Sequence, residues 1–177
     1  MPADVNNAFD VAFFFADTAL AENEYLQPQK LQGLLFIAQA YYSVAHKGRK
    51  LMPAMFVADE RGPLEPNVYM AFSKGRPDLD ADLFLSVEVE SFLDAIWRRF
   101  GHLGTEKITA MVKDTTAYKQ ARKHAHRAEI PLDAMRLSFV RAEKTPGVDQ
   151  VVKPKVYRTQ SGKNVTVQKW TPGAKSS

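Results

Sequence analysis

The sequence has no cysteine in its 177 residues. That excludes a disulfide framework, a thiolate nucleophile and any cysteine-ligated zinc or iron–sulfur centre, and it fits a reducing compartment. Histidine is scarce, at four residues, and no apolar run approaches the roughly 20 residues that span a bilayer. The N-terminus lacks the basic cluster of a secretory leader, since Asp10 and Asp17 bracket a short apolar run instead. A cytoplasmic location without a membrane segment is the expectation. Familiar catalytic patterns are missing as well: GxxxxGK[ST], GxGxxG, HExxH and GxSxG do not occur, so the common phosphate cradles, zinc hydrolase helices and serine elbows lack their marks. No enzyme is expected, and no catalytic, cofactor-binding or metal-ligating residue is assigned. His124 and His126 stand two apart, on different faces of any helix that carries them. Asp78, Asp80 and Asp82 resemble the start of a calcium loop, but Leu83 and Val89 stand where such a loop needs glycine and glutamate. A solvated loop that caps the following helix is the simpler reading.

What is present reads as a globular protein: 45% hydrophobic and 25% charged residues match a chain that folds in water. The net charge of +4 is uneven. Residues 141–177 hold eight basic and two acidic residues, which leaves the preceding 140 with 16 basic against 18 acidic and a net charge of −2. Phosphate contacts with a nucleic acid would therefore fall to the tail alone.

Apolar residues recur at helical spacing over most of the body. A first helix is expected over about Asp4 to Ala21, with Val5, Ala8, Phe9, Ala12, Phe13, Ala16, Ala19 and Leu20 on its inner face. Pro28 suits the first position of a second helix that runs to about His46 and is apolar around most of its cylinder. Leu51 to Ala58 reads as an extended connector or short edge strand, and Gly62, Pro63 and Pro66 as a turn into a short helix ending near Lys74. Val89, Phe92, Leu93, Ile96, Trp97 and Phe100 mark a fourth helix closed by Gly101. Thr105 is placed to cap the next, and two shorter helices are expected near Thr116 to His126 and Pro131 to Val140. The fold class expected is mainly α: a small helical bundle over residues 1–140 with a short extended connector. Residues 141–177 form a basic C-terminal tail, whose alternating runs Val151 to Gln160 and Lys163 to Trp170 permit a β-hairpin around Ser161-Gly162. A lone hairpin is marginal in water, so it would order against the body or a partner.

Two stretches carry more specific information. Lys30-Leu31-Gln32-Gly33-Leu34-Leu35-Phe36-Ile37-Ala38-Gln39 is followed about twenty residues later by Gly62-Pro63-Leu64-Glu65-Pro66-Asn67-Val68-Tyr69, and further on by Ala117-Tyr118. These resemble the LKLQKLLYFAQ helix, the GPVxPxVY turn and the later Pro-Trp pair of Panacea-domain antitoxins, and the likeness covers most of residues 5 to 140. Gly33 stands for the family's second lysine, Asp59 where tryptophan is usual, and Tyr118 for tryptophan. The resemblance implies an antitoxin that binds and neutralises a cognate protein toxin. It is nearest to the SocA-like branch, which delivers the toxin to the ClpXP protease as an adaptor. Partner contacts are then expected at Tyr42, Glu60, Arg61, Tyr69 and Tyr118 of the body and at Lys153, Lys155, Tyr157 and Trp170 of the tail, with core packing the competing role for the aromatics. The alternative reading is a nucleic-acid-binding autoregulator that acts through the basic tail.

Overall fold

The computed structural model describes residues 2–79, 83–140 and 145–152 in full, and the backbone of 156–158 and 164–166. Helix α2, Pro28–Ala45, forms the centre. Pro28 opens it with φ already set for the helix, and every residue from Lys30 to Ser43 is buried. An element that is apolar nearly all round has to be enclosed, and α2 packs against helices on all sides. These are α1 (Ala8–Ala21), α3 (Pro66–Phe72), α4 (Val87–Ile96), α5 (Thr105–Lys113) and α7 (Leu132–Val140). Helix α6, Thr116–His124, lies against α7. Leu34, Leu35, Phe92, Ile96 and Trp97 are all buried, so the mainly helical expectation and its inner faces hold. Among the described residues, no helix is long and apolar enough to cross a membrane.

Polar residues inside α2 tie the connectors to it. Gln39 accepts from the backbone N–H groups of Leu51 and Met52 (3.1 Å each) and donates to the Met52 carbonyl (3.0 Å). Gln32 accepts from the N–H of Glu65 at 2.7 Å. Lys30 is buried beside the Trp97 ring and pairs with Glu24 at 2.6 Å. Gln32 and Gln39 are therefore struts: they satisfy backbone donors that a connector crossing the core would otherwise leave unpaired.

Several boundaries differ from those expected. Helix α1 starts at Ala8 because Asn7 caps it, accepting from Asp10 N–H at 2.9 Å. Asp4 and Val5 pair instead with the carbonyls of Lys50 and Leu51. Leu20 is 66% exposed rather than inward-facing. The connector becomes a true hairpin, β1 (Val57–Asp59) antiparallel to β2 (Gly62–Leu64), with Val57 opposite Leu64. Ser86, not the aspartate loop, caps α4 by accepting from Val89 N–H; Asp80 and Asp82 lie outside the described residues. Thr105 is the first residue of α5 rather than its cap, which is Gly104. The fourth helix widens into a π-turn over Trp97–Gly101, where a Cβ on Gly101 would stand 2.4 Å from the Trp97 indole.

Beyond residue 140 the chain returns to the body. Tyr41 donates to the Pro146 carbonyl at 2.6 Å, and the helical turn α8, Val148–Val151, lays Val151 against α2. Further along, β3 (Val156–Arg158) pairs antiparallel with β4 (Asn164–Thr166), inside the two runs expected to form a hairpin. The Ser161-Gly162 turn lies outside the described residues.

Candidate partner-binding surface

The Gly62 to Tyr69 run folds as a hairpin corner feeding a helix. Gly62 has φ +135°, a value that favours glycine, and it turns the chain back along β1. Glu65 then caps α3 by accepting from Val68 N–H at 2.7 Å, with Pro66 in the first turn. Helix α3 and the start of α2 separate two depressions. One is a cleft of about 260 Å3 with Gln29, Gln32, Arg61, Tyr69 and Thr109 among its polar walls and Gly33 and Val112 among its apolar ones. The other, about 520 Å3, is walled by Leu20, Tyr25, Leu31 and Phe72 together with Lys74 and Arg76. Pro28 borders both. Tyr25 is 67% exposed and Met70, on α3, 75%. Large apolar side chains left in water beside concave surface are characteristic of protein contact sites.

Three of the expected contact residues come together here. Glu60 and Arg61 form the exposed hairpin corner, where Arg61 donates to the Tyr69 hydroxyl (3.1 Å). Gln29 donates to the Arg61 carbonyl (3.2 Å) and Lys113 to that of Glu60 (3.1 Å), which fixes the corner against α2 and α5. Beneath it Asp59 is buried and accepts from Arg127 Nε (2.8 Å) and Arg61 N–H (3.2 Å). Burial pulls the Asp59 carboxyl upward, but these donors outweigh it and hold its pKa below the ordinary value. An ion pair thus anchors the corner from beneath.

Tyr118 and Tyr42 play different parts. The Tyr118 hydroxyl donates to the Asp59 carbonyl at 2.6 Å, so this buried side chain joins α6 to the hairpin. Burial raises its pKa, with Asp59 and Glu60 adding to the shift and Arg122 opposing it. Tyr42 sits fourteen residues along α2 from Pro28, about 21 Å away by helical rise. It is buried, edge-on to Phe92, and donates to the Asp4 carboxylate; burial and that carboxylate both raise its pKa. Neither offers its ring to a partner. Lys153, Lys155, Trp170 and the side chain of Tyr157 lie outside the described residues. The exposure of Tyr25 and Met70, which break no pattern, was not read from the sequence, and Leu20, whose helical phase matched the buried stripe, was misplaced.

Among the described residues, Glu22, Glu24 and His102 lie close enough to share an ion. Two protein donors already hold that cluster, Trp97 Nε1 on Glu22 (3.1 Å) and Lys30 on Glu24 (2.6 Å). No family model, curated protein or solved structure matches the chain.

Proposed function

We propose that this chain is a protein-binding module, an antitoxin of the Panacea-domain kind, which holds a cognate protein toxin across α3 and the start of α2 and presents it to the ClpXP protease. One observation carries the reading. The two stretches on which the likeness rests, remote in sequence, meet in space and contribute to the walls of two depressions, with Met70 of α3 exposed. Among the described residues the smaller cleft is lined by amides, hydroxyls and Arg61, with no carboxylate or imidazole to move a proton, and that favours binding over catalysis.

The test is capture of the toxin from the native host by tagged protein, wild type or carrying Tyr25→Asp or Met70→Asp. Both side chains are exposed, so the variants should melt as wild type does, capture at least tenfold less toxin and fail to relieve its toxicity. Undiminished capture by both would sink the reading. Delivery to a protease further requires that toxin half-life shortens when this protein is present and lengthens again when the protease is inactivated; a toxin that persists unchanged would leave simple occlusion.

A further inference from the structure

The geometry points to the 260 Å3 cleft as a receptor for the C-terminal carboxylate of a polypeptide. Gln32 is 3% exposed, and with its Oε1 fixed by the Glu65 N–H its Nε2 has no acceptor among the described residues. A buried donor left unmet costs roughly 1–3 kcal/mol, so an acceptor entering the cleft would relieve a standing penalty. Gln32 is itself one of the residues that line the cleft, one helical turn from Pro28 and Gln29 on the same face of α2.

That wall is also the positive end of the longest helix among the described residues. Helix α2 begins at Gln27 without a side-chain cap, and its first turn holds no acidic residue, whereas Asn7, Glu65, Ser86 and Thr115 each cap theirs. Pro28 contributes no N–H, but those of Gln29 and Lys30 have no partner within the helix. A partial positive charge is thus left uncompensated on the side where the amide waits. Arg61 adds the one formal charge among the described lining residues, and none of them is acidic. The Tyr69 hydroxyl, which accepts from Arg61, keeps its own hydrogen to donate, and so does Thr109, which accepts from Gln29.

Size and shape select a chain end. The cleft lies just under the roughly 300–1,000 Å3 typical of drug-sized ligand sites, enough for a terminal residue. Leu64, Pro63 and Val112 offer its side chain apolar contact, and the larger groove lies on the other side of Pro28, which borders both. This inference does not depend on the partner being a toxin.

The test uses the full chain, 15N-labelled, with N-acetylated hexapeptides randomised over their last three positions. One pool ends in a free carboxylate, a second in a carboxamide, and sodium acetate forms the third arm. The carboxylate pool should shift the Gln32 side-chain amide resonances and enrich bound sequences, with the amidated pool and acetate each at least tenfold weaker. Arg61→Gln, a change at an exposed side chain, should weaken the carboxylate pool about tenfold and leave the amidated pool as it was; Gln32→Leu should abolish the preference if it folds. Equal binding of the two peptide pools, or no movement of the Gln32 resonances, overturns the proposal. Acetate as effective as the peptides would reduce the cleft to a small-acid site and overturn the chain-end assignment.

Discussion

At the scale of single residues, Gly33 is held by a tight approach of two helices, α2 and α5. A Cβ there would stand 2.3 Å from Ile108 Cγ2, where α2 and α5 pack directly together. Gly33→Ala should therefore destabilise the protein by about 1–3 kcal/mol, the usual cost of overpacking a close-packed core. Thermal melts of the double variant Gly33→Ala with Ile108→Ala should show less loss than the two single changes added together, because the second removes the methyl that the first strikes. Additive losses would mean that the helices move apart instead. A larger side chain has no room here, and only the facing residue, Ile108 on α5, reveals why.

At the scale of elements, the β1–β2 hairpin hangs on Asp59. Its carboxyl titrates below the ordinary carboxylate value, so ionised Asp59 stabilises the fold above that value, and the contribution is lost as pH falls through the lower folded one. Chemical denaturation of wild type and Asp59→Asn should differ in favour of wild type near neutral pH and converge below about pH 4, where the ordinary carboxyl begins to protonate. A gap independent of pH would assign the loss to packing alone. Helices were legible here because residues such as Leu34, Leu35, Ile96 and Trp97 repeat at a period set by local geometry. The hairpin was not: three-residue strands are too short to show alternation, and Pro63, which removes a ladder donor, argues against a strand by its composition. The same limit applies to the surface. That Arg61 and Tyr69 lie together follows from their closeness in the turn motif, whereas the burial of Tyr42 and Tyr118 could not be read there, since it depends on contacts with Asp4 and Asp59 across the fold.

At the scale of the whole molecule, residues 145–152 behave as part of the body. Burial pushes the Tyr41 hydroxyl's pKa up to about 12, and the Pro146 carbonyl takes its proton in a hydrogen bond. Ending the chain after Val140 strips that acceptor and the buried Val151, whose burial alone is worth about 2 kcal/mol. The melting temperature should fall by roughly 4–8 °C, at the 2–4 °C per kcal/mol expected for this length, whereas ending it after Val152 should leave melting unchanged. Equal melting of the two forms would show that the segment does not add to stability. The central position of α2 has a further consequence. A helix enclosed on every side opens only when the molecule unfolds, so amides from Leu34 to Tyr41 should exchange with deuterium at the global rate and no faster. The surface assigned to partners begins at the N-terminus of that same helix. It should therefore meet them already ordered, and deuterium uptake across Leu34 to Tyr41 should be the same before and after a partner binds.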